Sequence, residues 1–513
     1  MSKEPSKVSI SKRKLILSLV SVLLIGVIAS GSLMYVVAQS SLSTITIAGG
    51  PYPGAPSYTI FAESGTNYVK NANGVIVYSS TNTSYVIQSC ITTNAHILVK
   101  PGTYTITNTL LGNVAGVILE GESKDTTIIK LAASTSINML NVTASDWTIK
   151  NIQFDGSDAS QVWGDAYDNQ NGIFIGNTAA TLSLNDITIT NCYIHDTMGG
   201  AIAVRGSDVR RVFITSNTIM DTPRDGIRVM LCKDVNVIGN IFQSVGSYVD
   251  LNNKWHSIYT YGQNHIIANN NIYKSGGDGI EVYGLDNGTI TGNLIAEAGR
   301  IGIYVQGSVP SYYNIVVSGN TVVKAGANAA ANWKDGIRIV CPNVICSNNI
   351  VDYSGAVGIY VAGYSVGCVV ANNVVSNSAQ VGINIYANNN FVAVTGNTLR
   401  NNQDHQILFD QAINFTCTGN NVFGITSKDG IRFLGSSHGI VSNNNVNWAS
   451  YGIREAGACG YINYVGNNVF NTGYGIQLYG DNATATSRIT ACYNATWSTA
   501  EFISSWGAGA LSP

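Results

Sequence analysis

The stretch "VFITSNTIMDTPRDGIRVM", Val212 to Met230, decides the architecture of this chain. Its first part, Val212 to Met220, alternates apolar with polar residues, and so does its last part, Asp225 to Met230. Each run is too short for a helix and has the period of a strand. The pattern then recurs. An Asn with a β-rich stretch before it and an apolar residue after it stands at Asn191, Asn217, Asn240, Asn271, Asn293, Asn320, Asn349, Asn373, Asn397, Asn421, Asn445 and Asn468. The intervals run from 22 to 31 residues, and the four from Asn349 to Asn445 are each 24. Such a period marks a solenoid, in which one repeat is one coil and buries its apolar face only against its neighbours.

Coils of two or three stacked strands give an all-β fold, a single-stranded right-handed parallel β-helix of about 12 to 15 coils. The recurring Asn is then architectural, because amides stacked along the axis can satisfy one another and the buried backbone. The Gly before each Ile (Gly226, Gly279, Gly302, Gly336, Gly358, Gly382, Gly430, Gly452, Gly475) is read as a turn residue with unusual backbone angles.

Composition agrees. The 513 residues exceed one ordinary core, and 54 glycines with only 11% charged residues suit many short strands and tight turns. The net charge of -2, with no basic block beyond the N-terminus, argues against a nucleic-acid partner. Residues 1–14 form a basic tail with Lys3, Lys7, Lys12, Arg13 and Lys14. Leu15 to Ala38 (residues 15–38) is an uncharged run long enough to cross a bilayer. We expect a membrane anchor here in preference to a cleaved signal peptide ending near "VVAQS", which puts the rest of the chain outside the cytoplasm at the cell surface. Residues 39–66, with "AGGPYPGAPS", read as a linker, 67–497 as the β-helix domain and 498–513 as a C-terminal tail. Thr83 to Ile91 is expected to be a capping helix. Six Asn-x-Ser/Thr sequons, at Asn82, Asn141, Asn287, Asn414, Asn482 and Asn494, fit an extracytoplasmic location. Of nine cysteines, Cys341 and Cys346 invite a disulfide, and small buried core thiols are the competing reading.

The stretch "ILVKPGTYTITNTLLGNVAGVILEGESKDTTIIKLA" (Ile97 to Ala132), followed by "WTIKNIQFDG" (Trp147 to Gly156), resembles the N-terminal coils of the pectate-lyase-like β-helix superfamily. With the Asn-centred repeats the resemblance covers roughly Tyr68 to Trp497. It implies the fold, whereas the functions of the group range over lyases, epimerases, glycosidases, phage tailspikes and non-catalytic surface proteins. The Asn-Thr-Asp, Asp-Asp, Gly-His-Gly and Arg-x-Lys motifs of polygalacturonase-type glycosidases are missing, as is the Asp-Pro-x-x-Asp type of an alginate epimerase group.

Alternation turns Ile227, Ile258, Ile280, Ile303 and Ile337 inward and the following residue outward. One outward column reads Ala203, Arg228, Tyr259, Glu281, Tyr304, Arg338, Tyr360, Asn384. A second reads Arg205, Met230, Tyr261, Tyr283, Gln306, Val340, Ala362, Tyr386. A third, before the Gly position, reads Gly200, Asp225, His256, Asp278, Ile301, Asp335. Stacked coils bring such neighbours within reach of one another. Three coils are lengthened, and their insertions carry Trp163, Trp255 and Trp333, where indole faces could wall a sugar-binding groove.

The stretch "WHSIYTYG" (Trp255 to Gly262) replaces the usual Asp-Gly with His256-Ser257 and adds Tyr259 and Tyr261. His256, Tyr259, Arg228, Asp225, Asp278 and Glu281 are the candidate catalytic set. Arg205, Trp255, Tyr261, Tyr283, Tyr304, Trp333 and Arg338 are the candidate substrate contacts. Elimination or C5-epimerisation of a polyuronate needs a cation on the substrate carboxylate, a base for the proton alpha to it and an acid. Arg228 or Arg205 suits the first role, His256 or Tyr259 the second, and Tyr261 or Tyr283 the third. Ca²⁺ on Asp225, Asp278 and Glu281 is implied by the resemblance alone. The alternatives are a glycoside hydrolase using Asp225 and Asp278, and a non-catalytic surface or glycan-binding protein, for which Asp225 and Asp278 merely cap turns.

Overall fold

A computed structural model describes residues 55–161, 169–247, 255–307, 313–327, 333–363, 365–387, 389–479, 488–490 and 501–506. Each coil contributes three strands in turn. In one coil they are Ile202–Arg205 on a first sheet, Asp208–Thr215 on a second and Thr218–Met220 on a third. After the antiparallel N-terminal strands Tyr58–Glu63, Thr66–Asn71 and Ile76–Ser80, strands pair in parallel with their equivalents one coil on, so Ile202 lies against Ile227 and Thr218 against Ile241. Among the described residues the third sheet has 15 strands, from Gly102–Ile106 to Asn468–Phe470. The first two sheets merge where the turn between them is absent, as in the 12-residue strand Ile227–Ile238.

The expected inward column is fully buried. Ile227, Ile258, Ile280, Ile303, Ile337, Ile359 and Ile383 are each 0% exposed, and each stacks on the next. β-Branched side chains suit this pleated stacking, and each buried Ile contributes about 1.5–3 kcal/mol relative to exposure.

The asparagine ladder is real, but four of its rungs lie one residue earlier than expected. It runs Asn217, Asn240, Asn270, Asn293, Asn320, Asn349, Asn373, Asn397, Asn420, Asn444, Asn467. In each rung the side-chain oxygen accepts both the backbone N–H and the Nδ2 of the Asn one coil back. The second Nδ2 hydrogen goes to a backbone carbonyl, as in Asn240 to Ile214 at 2.9 Å. The residue before each rung has a positive φ, whether Ser216 (57°), Gly239 (67°), Asn269 (54°) or Asn443 (55°). Where Asn also fills the place after the rung, the doublet hides the rung. Asn271, Asn421, Asn445 and Asn468 are therefore the residues after the ladder, and at Asn191 the rung position is Cys192, whose N–H bonds Asn217.

The Gly-before-Ile column also needs a different explanation. These glycines have no positive φ. A Cβ on Gly279 would stand 2.6 Å from Ile295 and 2.7 Å from the carbonyl of Gly302, so the column exists because coils approach closely.

The expected capping helix spans Thr83–Cys90, with the Asn82 side chain accepting the Tyr85 N–H at 3.1 Å. Gln88 bonds both the carbonyl and the N–H of Leu111, which protects an otherwise open strand edge. The domain begins earlier than expected. Tyr58–Glu63, inside the stretch read as linker, pairs in parallel with His96–Val99 because its alternating residues continue the first coil. Glu501–Trp506, inside the stretch read as tail, pairs with Tyr474–Tyr479. Leu15 to Ala38 and Trp163 lie outside the described residues. Among the described residues no helix is long and apolar enough to cross a membrane. Cys341 and Cys346 are free, buried thiols, as are the other described cysteines.

Candidate functional site

The site forms where the coils carrying Asp225, His256 and Asp278 follow one another on the first sheet. Register places Arg228 beside Tyr259, Tyr259 beside Glu281 and Glu281 beside Tyr304. His256 is the hub. Its Nε2 lies 2.8 Å from Glu281 Oε2, and its Nδ1 lies 3.4 Å from Asp278 Oδ2 and 3.1 Å from the Asp278 backbone N–H. Glu281 also accepts from Gln306 Nε2 at 2.6 Å. Arg228 lies 3.4 Å from Asp225 and packs on the Tyr259 ring at 5.3 Å.

Three carboxylates face three cationic groups here, and each shift has a nameable cause. Burial opposes charge on His256, but Glu281, then Asp278 and Asp225, more than offset it and hold its pKa up at about 9. Burial also opposes ionisation of Glu281, yet the charge and hydrogen bond of His256 keep it below the usual range. Burial dominates at Asp278 and Asp225 and raises both. Burial, reinforced by Glu281, pushes Tyr259 up to about 12. His256 Nδ1 has a partner in either charge state: the Asp278 carboxylate when protonated, and the Asp278 N–H when neutral. At neutral pH the imidazolium prevails. Neither His256 nor Tyr259 is thus a ready base at pH 7, and Tyr259 suits the acid's role instead.

The turn-capping role of the aspartates is plain. Asp225 Oδ1 accepts the His256 N–H at 2.7 Å, Asp278 Oδ1 that of Ile301 at 2.9 Å, and Asp335 Oδ1 that of Val357 at 3.1 Å. Asp278 is 0% exposed. The Asp225 and Asp278 pair therefore lacks the open faces that an acid and a water-activating base require. Nor do Asp225, Asp278 and Glu281 fit Ca²⁺, which takes six to eight oxygens. Here an imidazole stands between Asp278 and Glu281, and Arg228 and Arg300 already supply the positive charge.

The expected substrate contacts divide. Tyr304 and Trp333 meet edge to face at 5.9 Å, and Arg338 packs over Trp333 at 4.9 Å and Tyr360 at 4.7 Å. Trp333 is exposed, whereas Tyr304 lies buried beneath it. Tyr261 and Tyr283 meet at 5.9 Å beside a cleft of about 320 Å³ that Tyr261 lines. Arg205 is half-buried and pairs in register with Met230, one coil before Tyr261. Trp255 is buried against Arg224, 5.2 Å from its guanidinium, so it does not offer the open stacking face expected of it.

Sequence reasoning missed Arg300, which links the two groups. It lies 3.7 Å from Asp278 and 5.2 Å over Trp333. The signal lay one column further back, where Arg224 and Arg300 both stand two residues before the Gly position.

The family described as "Right handed beta helix region" matches residues 97–254, 171–340, 244–391 and 335–490. The chain belongs to that family. No curated protein matches this β-helix chain. Among solved structures it is similar to the catalytic domain of a GH87 α-1,3-glucanase in complex with nigerose, at 14% identity and TM-score 0.51 over 63% of each chain. The match thus spans under two thirds of that domain. It is also similar to the pre-mature bacteriophage phi29 gene product 12, at 10% identity and TM-score 0.50, over 80% of this chain and 70% of that one. The mannuronan C-5 epimerase A-module of Azotobacter vinelandii aligns at 15% identity and TM-score 0.34, over 80% and 96%. The similarities to the glucanase domain and the phage protein show the fold alone.

Proposed function

We propose that the first-sheet face of this β-helix binds an acidic polysaccharide outside the cytoplasm and transfers a proton on a uronate unit, as a lyase or C5-epimerase. The observation that carries this reading is His256 bonded to Glu281, with Arg228 and Tyr259 on adjoining coils of one face. Arg228 holds the substrate carboxylate. His256, once deprotonated, takes the proton alpha to it. Tyr259 then gives its proton to the leaving oxygen as the C4–O bond breaks, or to the opposite face of the carbon, and the proton on His256 passes through solvent to the Tyr259 phenolate, which restores both groups. Because His256 sheds its proton near pH 9, the rate rises through that pH. The test is release of unsaturated product, or inversion at C5, when the full chain meets polygalacturonate and polymannuronate across pH. A His256→Ala protein as active as the wild type would remove the assignment.

A second reading, a non-catalytic glycan-binding solenoid, is favoured by one observation. His256 is 8% exposed and its Nδ1 caps the next coil's turn as Asp225 does. It predicts binding without turnover at every pH.

A further inference from the structure

The turn position of His256 is filled by histidine once more along the described coils. His405-Gln406-Ile407 repeats His256-Ser257-Ile258 on the same column, six coils along the first sheet (Ile258, Ile280, Ile303, Ile337, Ile359, Ile383, Ile407). At the strand spacing this is ~29 Å. Around it lie Lys428, Arg432 and Arg454 with Asp404 and Asp429. Arg432 and Arg454 are register partners, so their guanidinium groups stand one strand apart, and they lie 3.7 and 3.8 Å from the single Asp429 Oδ2. Arg432 Nη1 donates to His405 Nε2 at 2.9 Å, and Lys428 pairs with Asp404 at 3.1 Å. Asp410, one coil earlier, also faces Arg432, though burial raises its pKa.

Two features point to a ligand. Buried Nε–H groups of both Arg432 and Arg454 have no hydrogen-bond acceptor in the protein, while both side chains remain partly open, 26% and 32% exposed. Two guanidinium groups sharing one buried carboxylate are short of acceptors, and a carboxylate is the planar group that such forks bind best. The face between the two histidines is also continuous. Arg338 packs on Trp333 and Tyr360, Tyr360 meets Tyr386 at 5.9 Å, and beyond the cluster Arg454 packs on Tyr451 at 4.4 Å, which stacks on Tyr474 at 4.6 Å. Exposed rings (Trp333, Tyr386, Tyr474) and half-buried ones (Tyr360, Tyr451) interspersed with cations suit sugar faces alternating with carboxylates.

We propose that Lys428, Arg432 and Arg454 form a distal subsite for a carboxylate of a long acidic polysaccharide, whose chain lies along the first sheet from the His256 site. This rests on the reading of that face as a polyuronate site. The test measures binding by the full chain of oligogalacturonate and oligomannuronate trimers, which cannot bridge ~29 Å, and of long chains that can. The wild type binds long chains more tightly than trimers, and R432Q/R454Q loses about tenfold of that advantage, one charge-assisted hydrogen bond's worth. A well-folded double variant that keeps the full advantage overturns the proposal, as does equal binding of a neutral glucan. Should the double variant not fold, the more exposed Lys428→Gln is expected to cost about threefold on long chains, and no change there overturns the proposal. Arginine-dependent binding of dextran sulfate without binding of uronates overturns the carboxylate assignment. Length-dependent uronate binding without turnover upholds the subsite while removing the proton-transfer reading.

Discussion

His256 and His405 occupy the same turn in different coils, and the structure makes one cationic and keeps the other neutral. In both, Nδ1 sits beside the next coil's aspartate, 3.1 Å from its N–H at Asp278 and 3.2 Å at Asp429. The difference is the residue that meets Nε2: Glu281 at 2.8 Å in the first case and Arg432 at 2.9 Å in the second. Glu281 and Arg432 hold the same outward column position, three residues after Asp278 and Asp429. Burial acts against charge on both rings. Around His256 the three acids prevail and lift its pKa to about 9; around His405 burial, with Arg432, Lys428 and Arg454, lowers it to about 4 against Asp404. The balance of burial with the acids or cations around each ring thus sets whether a buried solenoid histidine stores a proton or refuses one.

That contrast can be broken most severely at the chemistry. His256→Ala is expected to lower kcat on a polyuronate by about 10²- to 10⁴-fold, whereas His405→Ala should act on KM for long chains. Steady-state kinetics on both variants separates the two regions.

A smaller effect lies in stability against pH. A raised folded pKa stabilises below the unfolded value and the gain is lost on the way up, so His256 contributes a loss between pH 6.5 and about 9. A lowered histidine pKa does the reverse, so His405 contributes a loss as pH falls from 6.5 to about 4. Each limb is on the order of 3 kcal/mol at most. Denaturant melts of His256→Gln should lack the alkaline limb and those of His405→Gln the acidic one.

Smaller again is the effect of Glu281→Gln. Removing the main raising charge should move the midpoint of the pH–rate curve down from about 9 towards 6.5. An unmoved midpoint would show that another group titrates. The smallest expected effect is that of the calcium-selective chelator EGTA, which should leave both binding and rate unchanged, because the donors around His256 do not make a calcium site.

Much of this was legible in the sequence, since a solenoid turns linear spacing into columns. The Ile column, the juxtaposition of Asp225, His256, Asp278 and Glu281, and the capping helix all follow from period and alternation. Spacing alone did not separate the ladder Asn from the strand residue that follows it in a doublet such as Asn420-Asn421. Nor did it show that Gly279 serves close packing, because that depends on Ile295 from another sheet. Trp255 looked like an open platform and is buried, as its neighbour Arg224 comes from the preceding coil. Arg432 and Arg454 continue the same outward column beyond Asn384, and His405 replaces a turn residue just as His256 does. Their meaning emerges only when the charge around each ring is counted in three dimensions.

The most direct test is an NMR titration of the two imidazole rings in the full chain, assigned with His256→Gln and His405→Gln. The account predicts that His256 titrates near 9 and that His405 stays neutral down to about 4. Two rings titrating together near 6.5 would contradict it.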